Sequence, residues 1–158
     1  MSPPGAIHYT YWKKFLPIAI FIGMFMVIVG IEIWPSIGYV TFGVTIILGY
    51  LLHLICDPDL DQVSITLVEG RILRNFGCFG AVYVGYWLPY GAIFKHRSFW
   101  SHAPGVSTAI RMIYGFWWVG YIVWVNDWYS NNLLVPLFGI FVGLFIADFI
   151  HWFLDKVM

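Results

Sequence analysis

The length of its apolar runs limits this chain more than any other feature. A bilayer core about 30 Å thick takes roughly 20 apolar residues in helical form to cross. Phe15–Trp34, Ile37–Ile55, Val106–Val125 and Leu133–Leu154 all approach that length. Their ionisable groups are few and sit near the ends: Glu32, His53, Arg111, Asp148 and His151. Only 10% of the residues are charged and 61% are hydrophobic, whereas an average soluble domain is about 25% charged. A soluble domain and a disordered chain are both excluded on this ground. In lipid a helix satisfies its own backbone polar groups, so the expected fold is all-α, a polytopic membrane helix bundle. The chain reads as a single integral membrane domain over 1–158, with a tail and anchor helix at 1–36 and a metal-site bundle at 37–158.

A further run, Phe76–Phe94, is interrupted by Gly77, Gly80, Gly85, Pro89 and Gly91. Positive charge decides its role, because Lys and Arg near span ends prefer the cytoplasmic side. If this run is re-entrant or interfacial, four transmembrane spans remain and Lys13, Lys14, Arg71, Arg74, Lys95, Arg97, Arg111 and Lys156 all fall on one side. The opposite loops, 35–36 and 126–132, then hold no cation. Five full spans, the alternative, divide the cations between both faces. Four spans with both termini cytoplasmic, in a prokaryotic inner membrane, is therefore the expected topology. The first run is too long for a signal h-region and no small-x-small site follows it, so it reads as a retained anchor.

Leu60–Asn75 reads as a short amphipathic connecting helix. Tyr11, Trp12, Trp34, Trp124, Trp128 and Tyr129 form an expected aromatic belt. Cys56 and Cys78 make neither a disulfide framework nor a CxxC pair and read as packed small hydrophobes. The 8 cations balance the 8 anions, which leaves no stripe for nucleic acid. Membrane lipids are the expected surroundings, with a membrane protein or a second copy as a partner.

Ionisable groups in an apolar chain cost several kcal/mol unless paired or bound to an ion, so their placement is informative. The first cluster is His53-x3-Asp57-Pro58-Asp59-Leu60-Asp61 at the end of the second run. His53 and Asp57 are one helical turn apart. Pro58 then turns the chain. The second cluster is Lys95-His96-Arg97-Ser98-Phe99-Trp100-Ser101-His102, with Ser101 or Ala103 near the cap of the next span. The third is Asp148-x2-His151-x3-Asp155, on one face of the last span. The four-span topology brings all three to one side, although charge counting made no use of their histidines and carboxylates. A single composite site follows.

Its expected metal ligands are His53, Asp57, Asp59, His96, His102, Asp148, His151 and Asp155, with Asp61 as bridging ligand or general base. Mixed imidazole and carboxylate ligation without thiolate suits Zn²⁺, Mn²⁺ or Fe²⁺. One or two divalent ions are expected, and a pair about 3.5–4 Å apart is the usual arrangement for phosphoester cleavage. Arg97 and Arg111 are the expected anion-holding groups, with Asp148 as the alternative partner of a buried Arg111. Haem between His53 and His151 fits poorly beside carboxylates one turn away.

At these residues the sequence resembles the YdjM-like family of membrane-bound metal-dependent hydrolases, and more closely a related uncharacterised metal-binding family. Pro58-Asp59-Leu60-Asp61, His96-Arg97-x3-Ser101-His102, the closing His151 and the Tyr86-Trp87-Leu88-Pro89-Tyr90 stretch carry the resemblance. It runs from about His53 to Asp155 and implies a metal site and hydrolysis. The resulting expectation is a hydrolase acting on a phosphoester, free or lipid-borne, at the cytoplasmic membrane face. The rival expectation is a non-enzymatic membrane subunit with a structural metal, its glycines Gly23, Gly30, Gly43, Gly49, Gly139 and Gly143 allowing close helix contact.

Overall fold

The computed structural model describes residues 4–29, 31, 37–56, 58–61, 66–95, 98–126 and 133–157. These residues form helices and short turns, with no strand among them. In chain order the helices are α1 (Pro4–Ile28), α2 (Ile37–Leu52), α3 (Leu67–Phe76), α4 (Cys78–Ile93), α5 (Phe99–His102), α6 (Val106–Val125) and α7 (Leu134–Val157). A 3₁₀ turn at Pro58–Asp61 follows α2.

The α2–α7 pair is the central packing unit, and α1 lies along α2. The two helices approach closely because glycines face each other's backbones. A Cβ on Gly49 would stand 2.2 Å from the Ile140 carbonyl oxygen, and one on Gly143 would stand 2.1 Å from that of Ile46. Glycines that read as a surface for a partner are thus used, at these two positions, inside the chain. Around them Ala19, Tyr50 and Ala147 are buried, with Phe15, Leu16, Leu54 and Ile150 packed against them. The opening of α1 after Lys14 therefore lies beside the end of α2.

Leu60–Asn75 was expected as one helix; instead the 3₁₀ turn and α3 are separate. Thr66 sets the start of α3 by a capping box: its Oγ1 accepts from the Glu69 amide at 3.2 Å, and Glu69 Oε2 accepts from the Thr66 amide at 2.8 Å. The run 76–94 also departs from expectation. Only Gly77 breaks it, and α4 continues through Pro89. Its buried residues Gly80, Val84, Trp87 and Gly91 recur at helical spacing, and packing that stripe outweighs the bond lost at proline. Trp87 and Tyr90 join Cys56, Leu60 and Leu144 in the main core cluster. Two tyrosines lock α4 onto α6 reciprocally: the Tyr86 hydroxyl donates to the Tyr114 carbonyl at 2.5 Å, and the Tyr114 hydroxyl donates to the Tyr86 carbonyl at 2.7 Å.

The segment between Asp59 and His102 begins and ends at one place, since Asp59 Oδ1 lies 3.9 Å from His102 Nε2. Hence α3 and α4 form an out-and-back hairpin about Gly77. Cys56 is buried as expected, whereas Cys78 is exposed because it opens α4 beside that turn.

Among the described residues one helix, Leu134–Val157, is long and apolar enough to cross a membrane, and about a third of its most apolar stretch is buried. The apolar part of α2 is shorter, at Gly38–Leu52, because the chain turns at His53. Arg111 and the many Trp and Tyr residues of α6 lower its hydropathy.

Gly49→Ala forces a methyl group against backbone that cannot rotate away. It is expected to lower the stability of the purified protein by about 1–3 kcal/mol, read from its thermal or denaturant midpoint. Gly85→Ala, with open space at its Cβ, is the control and should not destabilise.

Candidate metal centre

The end of α2, the α5–α6 junction and the end of α7 meet at one end of the bundle. The 3₁₀ turn supplies Asp59, α5 supplies His102, and α7 supplies His151 and Asp155 on successive turns of one face. One ligand atom from each of Asp59, His102 and His151 lies within 4.8 Å of the others. His151 Nε2 is 3.8 Å from Asp59 Oδ1 and 3.4 Å from Asp155 Oδ2. His102 Nε2 is 3.9 Å from each of those carboxylate oxygens. The two imidazoles meet edge to face, their centroids 5.7 Å apart.

These spacings fit a cation site better than an ion-pair cluster. Imidazolium and carboxylate close to about 2.7–2.9 Å when they hydrogen-bond directly. Here each Nε2 faces two carboxylate oxygens and closes on neither. Ligand atoms about 2.0–2.2 Å from a tetrahedral ion are about 3.3–3.6 Å apart, and those of Asp59, His102 and His151 lie within 4.8 Å of one another. Two carboxylates and two neutral imidazoles also supply the charge that a divalent cation balances. The donor set fits such an ion.

Behind the ligands lies a second polar layer. Arg111, 2% exposed, and Asp148, also 2% exposed, form an ion pair through Nη2 and Oδ2. The Thr108 hydroxyl donates to the same Asp148 oxygen, and Arg111 Nη1 donates to the Cys56 carbonyl. His53 Nδ1 is 3.4 Å from Asp148 Oδ1. The His53 ring stands edge-on to His151 at 6.3 Å. A ligand of the ion is thereby connected to a network that spans α2, α6 and α7.

Of the residues expected at the site, Asp59, His102 and His151 cluster together, and Asp155 lies against both imidazoles. His53, Asp148 and Arg111 are adjacent to it, in the layer just described. Asp57, His96 and Arg97 lie outside the described residues, as does the side chain of Asp61. The Thr108 and Ser101 contacts were not read from the sequence. The spacing Thr108-x2-Arg111 places a hydroxyl on the arginine's own helix face and was the available signal for the first. The cap of α6 is Gly105 rather than Ser101 or Ala103. Ser98 caps α5 instead.

A family model described as an uncharacterised metal-binding protein family (DUF2227) matches residues 16–158. The chain belongs to this family. Metal binding is what the family's description carries, in agreement with the candidate cluster of Asp59, His102 and His151. No curated protein and no solved structure matches the chain.

Two outcomes follow for the purified protein. Elemental analysis is expected to find a bound divalent metal in the wild type and to lose it in Asp59→Ala and in His151→Ala; retention in both variants refutes the ligand set. Asp148→Ala leaves a buried guanidinium without its counter-charge and is expected to destabilise by about 3–5 kcal/mol, measured by denaturant unfolding.

Proposed function

We propose that this is an integral membrane, metal-dependent hydrolase that cleaves a phosphoester, free or lipid-borne, at the cytoplasmic face. One observation carries the catalytic reading: the two imidazoles are more deeply buried than the two carboxylates. The His102 and His151 side chains are 8% and 4% exposed, whereas those of Asp59 and Asp155 are 22% and 15% exposed. His102 and His151 would hold an ion from the buried side, with Asp59 and Asp155 on the less buried side, and the ion would supply activation of a water for attack on phosphorus. A divalent ion in such a place lowers the pKa of bound water and polarises a phosphoryl oxygen. Zn²⁺, Mn²⁺ and Fe²⁺ all suit the donors. The resemblance to the YdjM-like hydrolases supports the reaction class.

Several features support the membrane placement. The 24 residues of α7 are mostly unburied despite their apolar composition. Phe21, Ile113, Trp117, Trp124 and Phe138 are at least 60% exposed, as lipid-facing side chains are. The out-and-back α3–α4 hairpin agrees with a re-entrant or interfacial segment and with four crossings. Lys13 and Lys14 precede the part of α1 that packs beside the end of α2. Lys95 and Lys156 likewise lie close in sequence to site residues. On this reading the metal is at headgroup depth.

A structural metal in a non-enzymatic subunit is the second reading. It is favoured by the ligand count, because four protein ligands suffice to close a tetrahedral sphere. Turnover separates the two. Metal-loaded protein in vesicles is expected to hydrolyse p-nitrophenyl phosphate or a phosphorylated lipid. Asp59→Ala is expected to lose at least about 100-fold, more than the usual loss of an outer partner. Tightly held metal with no hydrolysis of either substrate selects the structural reading. Single cysteines introduced at Arg71 and Lys95 are expected to label from the same side of the membrane; opposite sides overturn the topology.

A further inference from the structure

We infer that Ser101 is a positioning residue, whose hydroxyl fixes the His102 ring with Nδ1 protonated and the Nε2 lone pair aimed at the cation. The inference rests on the metal reading of the site and adds a residue to it. Ser101 is fully buried. Its Oγ is 3.0 Å from the Lys95 carbonyl oxygen and 3.3 Å from that of Ser98. It accepts the Ser98 amide at 3.1 Å, and His102 Nδ1 is 3.3 Å away. A hydroxyl has one proton and two lone pairs. Carbonyls accept only, so the proton goes to Lys95, the nearer one. The amide occupies one lone pair, leaving the other for Nδ1.

What faces Nδ1 is therefore an acceptor, and Nδ1 must carry the hydrogen. In a neutral imidazole the other nitrogen then has the free pair. That pair points at Asp59 and Asp155, each 3.9 Å away. Lone pair against carboxylate is repulsive without an intervening positive charge, so this tautomer belongs with a bound cation. The same Ser101 oxygen thus joins the end of α4, the cap of α5 and a metal ligand. Loss of such an outer partner usually weakens metal affinity by about 10–100-fold.

The test uses the full chain in detergent micelles with Zn²⁺ as the probe. Nitrogen-15 spectra of histidine-labelled, Zn²⁺-loaded wild type are expected to show His102 coordinated through Nε2 with Nδ1 protonated. An Nε2-protonated ring overturns the inference. In Zn²⁺ titrations against a competing chelator, Ser101→Ala should bind about 10–100-fold more weakly. Ser101→Thr should recover most of that loss. Ser98→Ala, which removes the other hydroxyl of the same turn but no contact to His102, should stay within about twofold. Equal effects of Ser98→Ala and Ser101→Ala assign the loss to the turn and overturn the positioning role. If the wild type binds no Zn²⁺, the metal reading fails and the positioning role falls with it; if Zn²⁺ binds but His102 coordinates through Nδ1, the positioning role alone is overturned. If Ser101→Ala does not fold, the wild-type spectrum and Ser101→Thr keep the question decidable.

Discussion

A buried guanidinium and carboxylate hold the functional end of this molecule together. Arg111 and Asp148 sit in an apolar interior where either alone would be costly. Their contacts make them a junction rather than an isolated pair. Arg111 bonds both α7, through Asp148, and the chain just after α2, through the Cys56 carbonyl. Thr108 adds a second bond from α6 to the same carboxylate. Apolar side chains can slide along one another at small cost, but a bonded pair of this kind has one register. It fixes how far α6 and α7 are displaced along their axes, and with them the heights of His102 and His151.

The metal ligands build outward from that junction. Asp148, His151 and Asp155 share a face of α7, so one helix presents a carboxylate to the network, an imidazole to the ion and a carboxylate to the rim. His53, near Asp148 and edge-on to His151, links the two layers from the α2 side. The 3₁₀ turn then has one task, to bring Asp59 across the opening. Its position is set by Leu60, 1% exposed and part of the main core cluster. An apolar residue between two aspartates thereby anchors the ligand beside it.

Much of this was legible in the sequence because charges in an apolar chain are few. With so few polar groups, each needed a partner, and the three clusters named the partners before any geometry was known. Composition and run length likewise gave the all-helical class. The parts that were not legible depend on packing. Pro89 and three glycines read as a broken segment, yet the buried stripe Gly80, Val84, Trp87 and Gly91 keeps α4 helical. Glycines on α2 and α7 read equally well as an external surface, and only the crossing at Gly49 and Gly143 assigns them to the interior. Spacing could show that His53, Asp148 and His151 belong together. It could not tell which of them turns toward an ion and which toward Arg111, because that depends on side-chain direction at a three-way contact.

The α3–α4 hairpin connects these arguments. Its apolar residues Phe76, Phe79 and Val82 are at least 62% exposed, an arrangement that water disfavours. α3, by contrast, has a buried Glu69 and exposed Arg71 and Arg74, which hydrocarbon disfavours. A segment with both suits a boundary, polar on one side and apolar on the other. On the proposed membrane placement the hairpin lies along the interface, with the arginines among headgroups and the aromatic tip among acyl chains. Because it starts beside Asp59 and ends before His102, it also borders the metal centre. On that proposed placement, the charge count and the returning hairpin would bring the metal centre to the same interface.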